Sequence, residues 1–326
     1  MVMMKKNNGI PEIDQTMLLE VIFIVVGVAM VLVGADRLTE GASALARRMN
    51  VPEIIIGLTI VAAGTSAPEL FVSLVSALKG TPDMAVGNVV GSNTMNAMLI
   101  VGCAAMVAPM TISRSTVKKD IPFSVGASVL LMLLALNNFL GRWDGIVLLA
   151  GFAIFMTYTL MQAKKGKAEA TEQKTERRSP WLSAAMVVIG LAALVVGSNL
   201  FVDSASTVAA ALGISEGVIG LTVVAGGTSL PELATSVVAA RKGQSAIAIG
   251  NVIGSNVFNI LMILGLTATI SPLQIEGITT IDMAVMLVSV ALVWFFSFTK
   301  FTVERWEGAL LVIGYLVYLW WLISSL

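Results

Sequence analysis

The sequence contains no histidine and a single cysteine, Cys103, among its 326 residues. The missing histidines exclude histidine-ligated zinc sites, His-dependent intramembrane hydrolases and histidine proton relays. One cysteine cannot build a disulfide framework. Charge is scarce as well, because only 12% of the residues are charged, whereas soluble domains carry about 25%. The formal net charge is zero, so we expect no extended charged surface for a nucleic acid.

Apolar residues dominate the rest of the chain and fall into long runs. They make up 57% of the sequence, and the mean hydropathy is +0.91. This composition predicts an all-α membrane protein, since only helices and closed barrels satisfy their backbone groups in lipid. The polar N-terminal segment leads into a run too long for the core of a signal peptide, so we expect an uncleaved first span. Ten runs have the length of a transmembrane helix, namely 17–36, 54–78, 84–108, 121–140, 145–162, 182–202, 217–240, 246–270, 281–298 and 307–325.

A hydrophilic linker, 163–181, divides the chain into two repeats of five predicted spans, 1–162 and 182–326. Because five is odd, the second repeat must enter the membrane from the opposite side, which predicts two inverted-topology repeats. If the linker is cytoplasmic, it and the loops on its side carry 15 Lys and Arg residues, against four on the other side. The positive-inside rule then places both termini outside. We expect a multi-pass protein of a prokaryotic plasma (inner) membrane.

One polar signature occurs twice inside these apolar runs, with a constant offset of 163 residues. The first block reads GLTIVAAGTSAPE at 57–69 and GLTVVAGGTSLPE at 220–232, with ten of thirteen positions identical. The second block reads GNVVGSNTMN at 87–96 and GNVIGSNVFN at 250–259, with seven of ten identical. A carboxylate within a membrane span costs about 2.5 kcal/mol or more on insertion scales and normally marks an ion or substrate path. Its occurrence in both repeats is typical of a transporter.

The repeated blocks place many oxygen ligands near the middle of the membrane. Pro68 and Pro231 cannot donate a backbone hydrogen bond, so the helices should kink or break around 62–67 and 225–230 and free the carbonyls of the preceding turn. Such carbonyls can line a cavity and meet a cation. Ser92 and Asn96 lie four residues apart and share a helix face, as do Ser255 and Asn259. The side-chain ligands offered by the first block are Thr65, Ser66, Glu69, Thr228, Ser229 and Glu232.

These ligands favour a hard cation. Ca²⁺ takes six to eight oxygens in flexible geometry, and Na⁺ accepts the same neutral oxygens. Two carboxylates match one Ca²⁺, two Na⁺ or two protons. Mn²⁺ or another divalent metal also fits oxygen ligands. Such a site can hold either cation but should be unstable when it is empty in lipid. This property is the physical basis of exchange.

Simpler interpretations apply to several of these residues. The glycines of GNVVG and GNVIG also form a small-xxx-small helix-packing pattern. Glu53 and Glu216 begin helices, where a carboxylate favours the positive end of the helix dipole. Asp36, Glu40 and Asp203 are expected at an entrance or at the interface. A structural ion pair for Glu69 or Glu232 is disfavoured, because neither motif contains a basic residue.

With GTSAPE and GTSLPE followed by the GNV-x-GSN blocks, the chain resembles the Ca²⁺/cation antiporter superfamily, in particular prokaryotic Na⁺/Ca²⁺ exchangers. The resemblance implies that Glu69 and Glu232 bind Ca²⁺ and share in Na⁺ binding, with the first and sixth helices, 17–46 and 182–210, sliding across a rigid core. Some relatives have aspartate at the place of Asn259. The remaining implied ligands are the carbonyls of Thr65, Thr228, Ala62 and Ala225 and the side chains of Ser66, Ser92, Ser229, Ser255, Asn96 and Asn259.

These observations predict a secondary antiporter that exchanges Na⁺ for Ca²⁺ by alternating access, and not an enzyme. The nearest alternative is an H⁺/Ca²⁺ antiporter on the same scaffold. A cation channel is disfavoured by inverted repeats with broken helices, and an intramembrane hydrolase by the lack of a nucleophile–base pair. We expect no cofactor. The expected partners are the two transported ions and the lipid bilayer, with no nucleic acid and no obligatory protein partner.

Overall fold

Long helices joined by short turns form the first half of the chain. The computed structural model describes residues 15–169, 179–213, 225–298 and 300–324. Wide π-helical turns interrupt the helices at 57–61, 96–100 and 116–120, and a 3₁₀ turn covers Ala135–Asn137. The elements are α1 (Gln15–Met49), α2 (Glu53–Ile56), α3 (Ala62–Thr65), α4 (Ala67–Leu78), α5 (Pro82–Met95), α6 (Val101–Val107), β1 (Met110–Thr111), α7 (Ile121–Leu134), β2 (Phe139–Leu140) and α8 (Arg142–Glu169).

The second half repeats this order as far as it is described. Another π-helical turn, Phe258–Leu264, lies in the position that corresponds to 96–100. The elements are α9 (Pro180–Ala211), α10 (Ala225–Thr228), α11 (Leu230–Arg241), α12 (Ser245–Val257), α13 (Gly265–Ile270), β3 (Leu273–Gln274), α14 (Thr280–Phe298), β4 (Thr302–Val303) and α15 (Arg305–Ser324).

Eight continuous helical stretches in the described parts are long and apolar enough to cross a membrane. A ninth is a bent pair, Glu53–Thr65 and Ala67–Leu78, whose halves meet at 46°. The first eight residues of the predicted span 217–240 lie outside the described residues, which resume at Ala225. The protein is therefore a helical membrane protein with several spanning segments.

The observed helices differ from the predicted runs mainly at their ends. The predicted span 121–140 is a helical stretch over Thr116–Asn137, and its predicted last residues form β2 instead. The polar π-helical turn 116–120 was hidden from a hydropathy pattern because it contains Lys118, Lys119 and Asp120. α8 continues to Glu169, into the segment predicted as linker, and α1 and α9 extend well past the apolar runs 17–36 and 182–202.

Two short antiparallel ladders tie the halves together. β1 pairs with β4, with Met110 opposite Val303. β2 pairs with β3, with Phe139 opposite Gln274. Each ladder therefore joins one strand from before the linker to one from after it. The strands also follow the sequence offset, because β3 and β4 begin 163 residues after β1 and β2.

The long helices α1 and α9 pack against each other along a seam of small residues. A Cβ atom added at Gly27 would lie 2.8 Å from Gly197 O, and one at Gly34 would lie 2.8 Å from Gly190 O. Further along, one at Gly41 would lie 2.8 Å from Ser183 O. The contacts recur every seven residues and run antiparallel, so the small residues allow the two backbones to touch.

The centre of the molecule is formed by the stretches that contain α5 and α12. The most apolar windows of Pro82–Val107 and Ser245–Ile270 are 78% and 94% buried, against 17% for those of α1, α8 and α15. A helix that is apolar and buried all round is the core of a bundle. The side chains of α5 and α12 are thus positioned away from lipid.

Candidate ion-binding site

Two broken helices carry the glutamates of the repeated motif. The helix ends at Thr65, Ser66 adopts φ −83° and ψ 8°, and α4 begins at Ala67. In the second half Ser229 adopts φ −92° and ψ 6° between α10 and α11. The predicted breaks within 62–67 and 225–230 are confirmed. Glu69 and Glu232 lie in the first turn of the helices that follow, where backbone N–H groups favour a carboxylate.

Proline and glycine explain these breaks locally. Pro68 and Pro231 occupy the first turn of α4 and α11, where a missing N–H leaves no helical bond unmade. The glycines before them let α9 approach closely. A Cβ atom at Gly64 would lie 2.3 Å from Leu191, and the carbonyl of Gly227 accepts a hydrogen bond from Ser198 Oγ. α9 therefore packs on both breaks.

The two central helices supply the remaining predicted ligands. Ser92 and Asn96 lie at the end of α5 and the start of its π-helical turn, and Ser255 and Asn259 lie in the same places at α12. π-Helical turns inside α-helices occur frequently at functional sites, because they reorient the backbone locally. Every predicted site residue whose side chain is described is at most 9% exposed.

Hydroxyl groups of one half bind the carboxylate of the other. Ser66 Oγ donates to Glu232 Oε1 at 3.0 Å, and Ser229 Oγ donates to Glu69 Oε1 at 3.2 Å. Ser255 Oγ lies 3.4 Å from the same Oε1 of Glu232, and Ser229 Oγ lies 3.2 Å from Ser92 Oγ. The structure thus brings both glutamates and four predicted serines into one buried cluster.

Four buried oxygen atoms of the predicted ligands accept no hydrogen bond from any described residue. They are Glu69 Oε2, Glu232 Oε2, Asn96 Oδ1 and Asn259 Oδ1. Buried polar atoms are nearly always satisfied, because leaving one unpaired costs about 1–3 kcal/mol. All four atoms are acceptors without a proton of their own when the carboxylates are ionised, so a cation is the partner that they fit.

The asparagines of the GNV segments were missed as functional residues by sequence reasoning. Asn88 Nδ2 donates to the backbone carbonyl of Glu69 at 3.1 Å and to Ser73 Oγ at 2.9 Å. Asn251 Nδ2 donates in the same way to Glu232 O at 3.3 Å and to Ser236 Oγ at 3.0 Å. The signal that could have found them is their presence at the same position of both repeats.

Asn251 also links the site across the halves. Its Oδ1 accepts a hydrogen bond from Thr65 Oγ1 at 3.0 Å, so the hydroxyl of one broken helix is fixed by the central helix of the other half. Ala62 O accepts a hydrogen bond from Ser66 N at 3.0 Å and lies 3.4 Å from Thr65 Oγ1. Thr228 is nearly buried beside Ser229, and the side-chain surroundings of Ala225 lie outside the described residues.

The glycines of the second central helix have a packing function, as the small-xxx-small pattern predicted. A Cβ atom at Gly250 would lie 3.0 Å from Gly57 Cα, and one at Gly254 would lie 2.6 Å from Ala62 Cβ. Asn251 and Ser255 occupy the positions next to these glycines and reach the cluster. One helix segment thus combines close packing with ligand placement.

Four other acidic residues considered from the sequence are described, and their contacts are made outside the cluster. Glu53 accepts hydrogen bonds from Ser43 and Arg47, so it joins α1 to α2. Asp36 forms an ion pair with Lys242 at 2.6 Å. Glu40 lies 3.6 Å from Arg37. Asp203 is exposed on α9, and Glu216 lies outside the described residues.

Comparison with known proteins identifies similar chains over nearly the whole length. The family model described as "Sodium/calcium exchanger protein" matches twice, over residues 19–161 and 182–324. CaxA of Alkalimonas amylolytica is 38% identical over 319 residues, covering 95% of this chain and 100% of CaxA. The sodium/calcium exchanger MaX1 of Methanosarcina acetivorans is 32% identical over 341 residues, covering 91% and 97%. A solved structure of the sodium-calcium exchanger NCX_Mj aligns with a TM-score of 0.82 at 32% identity, covering 92% and 97%.

Proposed function

Because the chain belongs to the sodium/calcium exchanger protein family, whose members are transporters and not enzymes, we propose that it exchanges Na⁺ for Ca²⁺ by alternating access. The observation that carries the proposal is the set of four buried oxygens, two from glutamates and two from asparagines, to which no described residue donates a hydrogen bond. Two of the similar proteins, MaX1 and NCX_Mj, are sodium/calcium exchangers, and CaxA is described as a putative antiporter. The proposed ligands are the twelve residues that the resemblance implies.

Charge matching explains why the two ions would exclude each other. Two ionised carboxylates, Glu69 and Glu232, balance one Ca²⁺ or two Na⁺. A bound Ca²⁺ would draw on both carboxylates and the two amide oxygens, with carbonyls of the broken helices completing its shell. Na⁺ would be coordinated by the same carboxylates and by the serine hydroxyls that are hydrogen-bonded to them in this structure. A third Na⁺ would leave the loaded site with one net positive charge, so exchange would carry current.

We further propose ten spanning helices in two inverted repeats, with the 163–181 linker in the cytoplasm and both termini outside. The two matches of the family model are offset by 163 residues, as are the strands of the two ladders. A ladder that pairs one strand from each half is expected when the halves are related by a two-fold axis in the membrane plane. The excess of Lys and Arg on the linker side supports the orientation.

The experiment that tests the function is ⁴⁵Ca²⁺ uptake into proteoliposomes under two separate gradients. Vesicles loaded with Na⁺ and diluted into Na⁺-free buffer should accumulate ⁴⁵Ca²⁺, whereas vesicles with only a proton gradient should not. Uptake driven by protons alone would assign the chain to H⁺/Ca²⁺ exchange instead. Absence of Ca²⁺ flux under both gradients would contradict Ca²⁺ as the substrate, and other divalent cations such as Mn²⁺ would then be compared.

A further inference from the structure

A second pair of asparagines, Asn93 and Asn256, lies one helical turn before Asn96 and Asn259 and belongs to none of the predicted ligands. Both are buried, with 0% and 1% of their surface exposed. Each is the asparagine of a GSN triplet, so the two occupy equivalent positions at the 163-residue offset. A buried carboxamide has to place one oxygen and two N–H groups, and its partners decide which way round it lies.

The four asparagines form two crossed hydrogen bonds between α5 and α12. Asn259 Nδ2 donates to Asn93 Oδ1 at 3.1 Å, and Asn96 Nδ2 donates to Asn256 Oδ1 at 3.1 Å. Each bond joins one half of the chain to the other. In both bonds the side-chain nitrogen of Asn96 or Asn259 is the donor. The side-chain oxygen of the same residue is one of the four buried oxygens that accept no hydrogen bond from the described residues.

We propose that Asn93 and Asn256 are positioning residues of the ion site: each holds the amide nitrogen of Asn259 or Asn96 and so presents the oxygen of that amide to the ions. This inference rests on the proposed function. A carboxamide that rotates by half a turn presents N–H donors in place of the oxygen, and those donors repel a cation. The crossed bonds select the orientation that binds.

Asn93 is the better anchored of the two. Its Nδ2 donates to the backbone carbonyl of Asn256 at 3.3 Å and lies 3.9 Å from Met286 Sδ, so its own oxygen is directed at Asn259. Asn256 Nδ2 has no acceptor among the described residues. We therefore expect the orientation of Asn259 to depend more strongly on Asn93 than that of Asn96 depends on Asn256.

A double-mutant cycle between positions 93 and 259 separates positioning from packing. Asn93→Leu removes the acceptor at similar volume, so the Ca²⁺ affinity of the purified protein should weaken about tenfold. In Asn259→Asp, at alkaline pH, both ends of the side chain are oxygens and its orientation no longer matters. In the Asn259→Asp background, Asn93→Leu should weaken Ca²⁺ binding little or strengthen it. The reason is that Asn93→Leu removes Asn93 Oδ1, an oxygen that faces a carboxylate oxygen in that background. The readout is ⁴⁵Ca²⁺ binding in detergent, with and without competing Na⁺.

A control and a second cycle keep the test decisive. Thr94→Val removes a buried hydroxyl whose one hydrogen bond within the described parts of the chain is to the carbonyl of Val90 in the same helix, so it should leave Ca²⁺ affinity unchanged. An equal loss from Asn93→Leu in both backgrounds would overturn the inference. If Asn93→Leu does not yield folded protein, the cycle of Asn256→Leu with Asn96→Asp makes the same comparison. A wild-type protein that binds no Ca²⁺ would instead overturn the proposed function, before any variant is considered.

Discussion

At the scale of single residues, the proposed ion site contains two buried carboxylates that have no basic partner among the described residues of the cluster. Glu69 and Glu232 are 0% and 1% exposed, and their hydrogen bonds come from serine hydroxyls. Hydroxyls stabilise a carboxylate less than an ion pair would. In the proposed function, a transported cation that enters and leaves the site balances this charge.

Replacing either glutamate tests this directly. Glu69→Gln should abolish exchange and weaken Ca²⁺ binding about 100-fold or more, because a buried charge loses its opposite charge. Glu232→Gln should do the same. The measurement is Na⁺-driven ⁴⁵Ca²⁺ uptake. Glu307→Gln is a matched control, since Glu307 is equally buried but caps the start of α15 through Glu304 N. Uptake at the wild-type rate in Glu69→Gln would refute the assignment.

A third carboxylate should make binding depend on pH. In Asn259→Asp the new group adds a negative charge once it is ionised, so Ca²⁺ should bind more tightly as pH rises and more weakly as pH falls. The wild-type protein has asparagine there and should show a smaller change over the same range. Parallel ⁴⁵Ca²⁺ titrations at several pH values compare the two. Coincident pH profiles would place Asn259 outside the ion cluster.

At the scale of elements, two pairs of helices contribute most to the candidate ion-binding site. They are the broken helices that carry the glutamates and the long helices, α1 and α9, that cross them. The breaks could be predicted from the sequence, because a proline one turn after a glycine has a known effect on a helix. The crossed bonds of Asn93 and Asn256 could not, since they join residues 160 and 166 positions apart whose proximity depends on the fold. The same applies to Asn88 and Asn251, whose partners are set by packing of neighbouring spans.

The glycine seam predicts a clear difference between two alanine substitutions. In Gly34→Ala the new methyl group would lie 2.8 Å from Gly190 O and 2.9 Å from Leu194 N, so α1 and α9 must separate. Such overpacking typically costs about 1–3 kcal/mol. The thermal midpoint in detergent should fall, and transport should slow.

Gly126→Ala is the matched control for the seam. Gly126 lies in α7, and a Cβ atom there would meet no described atom within 4 Å. Alanine is favoured over glycine in a helix by about 1 kcal/mol, so the thermal midpoint should stay the same or rise. Equal midpoints for Gly34→Ala and Gly126→Ala would argue against close packing of the two backbones.

At the scale of the whole molecule, the same offset of 163 residues occurs in the sequence and in the structure. It separates the repeated motifs, and it separates the corresponding strands of the two ladders. The sequence alone predicted ten spans divided by the linker, and the described residues contain eight continuous spans and one bent pair. It did not predict that α8 extends to Glu169 or that π-helical turns lie in the middle of the central helices. Hydropathy along the chain does not distinguish a π turn from an α turn, and the polar end of a helix has the same hydropathy as a polar linker.

The proposed orientation can be tested by cysteine labelling, since the chain has one cysteine to remove. In a Cys103→Ala background, Thr171→Cys in the linker should react only with reagents on the cytoplasmic side. Asn137→Cys, at an exposed position before β2, should react only from the opposite side. The expected result follows from the Lys and Arg excess on the linker side. Labelling with the sides exchanged would invert the topology.

In the proposed function, Ca²⁺ and Na⁺ compete for one set of buried oxygens around Glu69 and Glu232. Equilibrium binding of ⁴⁵Ca²⁺ to the purified protein, measured against increasing Na⁺ at constant ionic strength, is the measurement that decides it. We expect that Na⁺ displaces Ca²⁺ completely and cooperatively, that K⁺ at the same concentrations does not, and that Glu69→Gln binds neither ion measurably. Calcium binding that persists at saturating Na⁺, or that survives in Glu69→Gln, would contradict it.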